Sequence, residues 1–255
     1  MRLSGKCGLQ HRNGGLPQQA RMAEKHLKGR TLKLTRVSCP AEHRFLRMVN
    51  MVELRAYAFI NQLQKQLVGY IGSTARGYYP VAGQSALFME IAPGIEINSI
   101  TDIVLKKANV MPGAMVVERT FGMLEVHADS PADVKQAGDV ILGYLGVTEN
   151  ERLKPKILAA ETIERMDPYM GQIVNRFRAA SMMIEDETLY ILECVPAGYA
   201  GYAANEAEKA ADIKLIHVTV FGASGRVYLA GTTSEVQAAK EAAESCLHAL
   251  KGKDF

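Results

Sequence analysis

Glu90-Ile91-Ala92-Pro93-Gly94 ends an apolar, strand-like run, and the same punctuation returns at Glu193-Cys194-Val195-Pro196-Ala197, 103 residues later. Sliding the chain by 103 residues brings its second half onto its first without gaps from about residue 52 to 122. Glu90 then meets Glu193, Pro93 meets Pro196, Lys106 meets Lys209, Ala108 meets Ala211 and Gly122 meets Gly225. Exact identities are few, but whole elements coincide.

In the first copy, Val52 to Ile60 suits a strand, and Asn61 to Gly72 carries Leu63, Leu67, Tyr70 and Ile71 at helical spacing. Ala86 to Ala92 reads as a second strand. Ile100, Ile103, Val104 and Ala108 then share one helical face, with Asn98 or Ser99 as the expected N-cap. Strands over Ala114 to Val117 and Gly122 to Ala128 are separated by the polar step Glu118-Arg119, and Ser130-Pro131 opens a helix toward Tyr144. The second copy offers strands over Leu189 to Val195, Lys214 to Val220 and Arg226 to Gly231, with helices over Ala203 to Ala211 and from about Ser234 to Leu250. The charged stretch Thr148 to Lys156 is the natural junction. The body therefore reads as two copies of one α/β (α+β) unit, residues 51–150 and 151–255, each ordered βα, ββ, α, ββ, α.

Composition agrees with a globular body: 48% of the 255 residues are hydrophobic and 22% charged. No apolar run approaches the roughly 18 residues of a membrane span, and no secretory leader is visible, which places the chain in the cytoplasm. Cys7, Cys39, Cys194 and Cys246 lie far apart with no C-x-x-C pair, so neither a disulfide framework nor a metal site is expected. The net charge of +3 hides an asymmetry, because residues 1–50 hold eleven Lys/Arg against two Asp/Glu. That segment reads as a basic, disordered N-terminal extension. It could hold nucleic acid or an acidic partner, or be a solvated leader upstream of a true start at Met48 or Met51.

Val52-Glu53-Leu54-Arg55-Ala56-Tyr57, Glu90-Ile91-Ala92-Pro93-Gly94, Val117-Glu118-Arg119, Leu153-Lys154-Pro155-Lys156 and Ala203-Ala204-Asn205-Glu206-Ala207-Glu208-Lys209-Ala210 occur in matching order and spacing in a known family. Over about residues 51 to 250 the chain resembles bacterial microcompartment shell proteins of the circularly permuted tandem-domain type found in carboxysomes. The resemblance implies a homotrimer forming a six-sided tile that joins hexameric shell proteins edge to edge into a facet, with stacking of two trimers as a further possibility. It implies a wide central pore that opens and closes on a pore gate of Glu118 and Arg119, with Thr120, Phe221 and Gly222 on the pore rim. Lys106 and Lys209 correspond to the family's tile-edge lysines.

Such a gate is physically intelligible. Three Arg side chains brought together on an axis repel one another unless each finds a carboxylate, and a Glu immediately before each Arg can supply one. Two discrete arrangements of a short loop then act as a valve. A pore lined by Arg and Glu suits small anionic metabolites, phosphorylated sugars among them, that pass between the cytosol and an encapsulated carbon-fixing core.

Enzyme chemistry has no sequence signature here: P-loop, nucleophile elbow, H-E-x-x-H and Rossmann fingerprints are missing, so catalytic residues, metal ligands and cofactors are all expected to be none. His127, His217 and His248 read as core or surface residues. A trimeric small-molecule sensor, a shell protein of a non-carboxysome compartment, and nucleic-acid binding through residues 1–50 are the competing readings.

Overall fold

The computed structural model describes residues 52–179 and 181–255; the basic extension, Cys7, Cys39, Met48 and Met51 lie outside the described residues. The first repeat runs β1 (Glu53–Ile60), α1 (Lys65–Thr74), β2 (Ser85–Ala92), α2 (Ile97–Lys107), β3 (Met111–Glu118), β4 (Phe121–Ala128) and α3 (Pro131–Leu145). The second runs β5 (Lys156–Ile163), α4 (Pro168–Asn175), β6 (Thr188–Val195), α5 (Tyr199–Ala210), β7 (Lys214–Thr219), β8 (Gly225–Gly231) and α6 (Thr233–Ala249). Each repeat folds one antiparallel four-stranded sheet, ordered β1-β2-β4-β3 and β5-β6-β8-β7.

The 103-residue offset holds element by element: β1 and β5, α1 and α4, β2 and β6, and β3 and β7 all start 103 residues apart. Even the irregularities are duplicated. The register slips between Leu54 and Ala56 and again between Ile157 and Ala159; it slips between Pro112 and Ala114 and again between Leu215 and His217. A bulge re-aims the side chains that follow it, so its retention in both copies keeps the same faces pointing inward.

Strand β2 is buried along nearly its whole length, which explains why it reads as a continuous apolar run instead of an alternating one. Leu87, Met89 and Ile91 face α2 and α3 through Ile97, Ile100, Val104, Val134, Ala137 and Ile141. Ala86 and Phe88 face the other way, toward α1 and toward α5 of the second repeat. Helix α5 is also covered by its own sheet through Tyr190, Leu192 and Cys194. Its sequence fits this position between two sheets: Ala200, Gly201, Ala203, Ala204 and Ala207 are all buried, and a Cβ at Gly201 would lie 3.2 Å from the Phe88 ring. Small side chains let helix and sheets approach closely on both sides.

Several element boundaries differ from the sequence reading. Each repeat has β2 or β6 alone between its first two helices, where two strands were expected, so the order is βαβαββα. Helix α1 starts at Lys65, not Asn61, because Leu63 and Gly83 pair their backbones instead. Helix α2 starts at Ile97 after a short 3₁₀ turn at Gly94–Glu96, and Asn98 does not cap it; its amide donates back to the Ile95 carbonyl at 2.9 Å. Helix α5 starts at Tyr199, four residues before the expected Ala203. Strand β5 and helix α4, the latter capped by Asp167, had no distinct signal of their own.

Candidate pore hairpin and repeat interface

Glu118 ends β3 and pairs with Phe121 at the start of β4, which leaves Arg119 and Thr120 as a two-residue hairpin turn. Arg119 has φ 53°, a left-handed conformation that costs a bulky residue on the order of 1 kcal/mol. Arg119 and Thr120 are exposed and Glu118 is half-buried. Among the described residues, neither Glu118 nor Arg119 has an ion-pair partner within the chain. The hairpin base is firmly held: Gly94 donates to the Thr120 carbonyl at 2.7 Å, and a Cβ at Gly94 would overlap the Phe121 backbone.

The Glu118 carboxylate lies against Gly222 of the second repeat, where a Cβ would be 3.5 Å from its oxygens. Gly222 has φ 99°, which an L side chain rarely adopts. The structure thus brings the hairpin of the first repeat beside the Phe221–Gly222 loop of the second. Lys106 and Lys209 sit in the last turns of α2 and α5. Lys106 pairs with Asp102 at 2.6 Å on an open surface, whereas the Lys209 pair with Glu206, at 2.7 Å, is partly sheltered.

The two repeats are joined by a polar seam along α1. Gln64 donates its backbone N–H to Asn205 at 3.0 Å, and the Glu208 carboxylate receives Gln66 and Leu67 at 2.8 and 3.1 Å. The Gln66 side chain reaches into the second repeat, donating to the Ile213 carbonyl and accepting from the Leu215 N–H. Deeper in, Arg55 donates to Glu90 at 2.8 Å, and Glu90 in turn accepts the Gly198 N–H at 2.9 Å. Burial raises the Glu90 carboxyl, and the bonds to Arg55 and Gly198 offset this only in part.

Sequence reasoning missed this Arg55–Glu90 pair and a second buried one. His127 is not isolated: its Nδ1 lies 3.1 Å from Glu125, two residues earlier on the same face of β4. Spacing of two on a strand was the available signal. Both side chains are sealed from solvent, and burial raises the Glu125 carboxyl. The Cys194 and Cys246 thiols are pushed up to about 12 by burial, which makes them inert. Among the described residues, no cluster of three His, Cys, Asp or Glu could hold a metal ion, and no helix is long and apolar enough to cross a membrane.

Comparison with known proteins gives this duplicated architecture its class. The family model for the CsoS1D N-terminal domain matches residues 54–151. The chain is 44% identical over 203 residues to the carboxysome shell protein CcmP of Synechococcus elongatus, covering 80% of this chain and 95% of that one. Among solved structures, the fused permuted hexameric shell protein MSM0275 of the RMM microcompartment aligns with TM-score 0.75 and 42% identity, over 78% of this chain and all of that one. The double-ringed trimeric shell protein MSM0271 of the same microcompartment aligns with TM-score 0.77 and 36% identity, over 80% of this chain and all of that one. The chain belongs to the family of permuted, tandem-domain microcompartment shell proteins that includes the carboxysome proteins CcmP and CsoS1D. It is a structural shell protein with two four-stranded α/β repeats.

Proposed function

We propose that three copies of the chain close into a pseudohexameric tile of the carboxysome shell, pierced by a gated pore. The observation that carries this reading is an unmatched surface. In the first repeat, the sheet face bearing Ala86 and Phe88 is covered by α5 of the second. The equivalent face of the second repeat carries Leu189, Ile191 and Ala230 and, among the described residues, packs against Met166, Val174 and Met183 in and around α4. Helix α4 and the turn that follows it leave Tyr169, Ile173 and Phe177 at 76%, 52% and 64% exposure. Helix α2 and strand β3, the counterparts of α5 and β7, expose Leu105, Met115 and Val117. Under the 103-residue offset, Tyr169 stands for Gln66, Ile173 for Tyr70, Leu105 for Glu208 and Val117 for Val220. A second copy repeating the internal joint would therefore seat α4 on α2 and β3, apolar against apolar, and fill the cleft of about 780 Å³ that Arg76, Thr101, Met115 and Phe221 border. Such a heterologous contact between a two-repeat chain and its neighbour closes as three chains.

In that ring the Glu118-Arg119-Thr120 hairpin and the Phe221–Gly222 loop gather at the axis, three copies of each. Glu118 and Arg119 act as the gate, Thr120, Phe221 and Gly222 form the rim, and phosphorylated sugars are the class of metabolite passed. Lys106 and Lys209 lie at the tile edge and meet hexameric shell proteins there. The repeats divide between residues 150 and 151. The tile is a barrier and conduit, not an enzyme, and works in the cytoplasm within the shell. Stacking of two trimers is supported by the double-ringed relative. Electron microscopy with mass measurement tests the reading: six-sided particles of three or six chains with a gap on the axis support it, while a monomer or an unperforated trimer sinks it.

A further inference from the structure

The two loops assigned to the pore are anchored by different chemistry. In the second repeat, Glu193 bonds directly to Ser224 and, at 3.1 Å, to Arg226. The matching positions in the first repeat are Glu90, Phe121 and Met123, and the residue between them is Arg55, whose own counterpart is Leu158. The Arg55 guanidinium carbon stands 3.9 Å from the centre of the Phe121 ring, while Nε bonds Glu90 and one terminal nitrogen reaches Glu53 at 3.5 Å. Arg55 is only 12% exposed and Glu90 1%. A planar guanidinium can bond a carboxylate in its plane while stacking flat on an aromatic face, a geometry the compact ammonium of Lys does not reproduce.

We infer that Arg55 is the positioning residue of the pore hairpin. Through Phe121 it fixes the base of the Arg119–Thr120 turn, and through Glu90 and the Gly198 N–H it ties that base to the start of α5 in the second repeat. Phe121 and Gly94 hold the strand just behind the turn, so motion is confined to residues 118–120. The gate then swings on a rigid mount that senses how the two repeats sit together. The inference rests on the pore reading for its functional meaning, but the mount itself can be measured separately.

The test uses the full chain and three variants, Arg55→Leu, which installs the residue found at position 158, Arg55→Lys, and Phe121→Leu. Each is measured for particle mass and melting temperature and imaged by single-particle cryo-electron microscopy, with density for residues 118–120 as the readout. All three variants should keep the wild-type mass yet lose hairpin density or shift the ratio of hairpin positions by about threefold or more. A fourth variant, the Arg55→Leu/Phe121→Leu double, should lose no more hairpin order than Arg55→Leu alone, because that change already removes the stacking contact Phe121→Leu would break. A hairpin as ordered in Arg55→Leu and Phe121→Leu as in wild type overturns the inference. Should Arg55→Leu fail to assemble, Phe121→Leu decides alone, since it leaves the Arg55–Glu90 pair intact. Wild-type particles without an axial gap would defeat the pore reading instead, and the variants would still report whether Arg55 orders the hairpin.

Discussion

Glu208 accepts a 2.8 Å hydrogen bond from the backbone N–H of Gln66, across the joint between the two repeats. Its second oxygen takes the Leu67 N–H, so a carboxylate from α5 satisfies two of the donors that the start of α1 leaves unpaired. Negative charge at a helix N-terminus is favourable as well. Glu208→Ala should cost about 1–2 kcal/mol in chemical denaturation, whereas Glu208→Gln, which keeps one acceptor, should cost less than half of that. Equal losses for both would show that charge, not hydrogen-bond capping, holds the joint.

In the proposed trimer the same joint would be built between chains from apolar residues, and this separates folding from assembly. Ile173 is 52% exposed in the single chain, so Ile173→Asp should leave the melting of the isolated chain within about 0.5 kcal/mol of wild type. Placed among the apolar residues Met115 and Val117 of a neighbour in the proposed joint, the same charge loses its hydration and should weaken or abolish the trimer. Sedimentation or light scattering reads the outcome; a variant that still forms wild-type trimers would remove α4 from the interface.

Much of the fold was legible because it is written twice. Weak strand signals in one copy are backed by the other, and Pro93 with Pro196 ends the corresponding strands in both. Helix α5 was misread at its start because Tyr199, Ala200 and Gly201 carry no apolar periodicity; their small size answers to a second sheet that only the tertiary structure supplies. The hairpin position of Glu118-Arg119 was visible as a polar step between two strands. Its mount was not, since Arg55, Glu90 and Phe121 are 35 and 31 residues apart in the chain and meet only after β1, β2 and β4 pair.

His217 contributes a pH dependence of known sign. It lies on β7 with its ring edge-on to Tyr70 and Tyr228, and its Nε2 is 3.0 Å from the Thr219 hydroxyl. Burial holds it below its ordinary value of 6.5, with Arg226 adding to the effect and the Phe177 backbone opposing it. Below pH 6.5 the unfolded chain takes up a proton that the folded chain resists, so stability present in full above that pH is lost as pH falls through the folded value. His217→Phe removes this component, and its melting temperature should fall by about 2 °C less than wild type between neutral pH and pH 5. Identical slopes for the two proteins would mean that His217 is not the group responsible.

The charge at the hairpin should govern which solutes pass. Arg119 has no ion-pair partner within its own chain among the described residues, and in the proposed trimer three such cations would meet three Glu118 carboxylates at the axis, close to balance. Arg119→Glu would leave six carboxylates there and turn the balanced ring strongly negative while keeping a long side chain at the same left-handed turn. In shells assembled with this protein as the only wide-pored tile, entry of a sugar phosphate should drop by about tenfold relative to a neutral sugar of equal size. The discrimination should shrink toward nothing near 1 M salt, where the screening length falls to about 3 Å. Because the change acts on charge alone, a fall in entry of both solutes at every salt concentration would instead indicate a blocked pore, and an unchanged ratio would place the selective step away from Arg119.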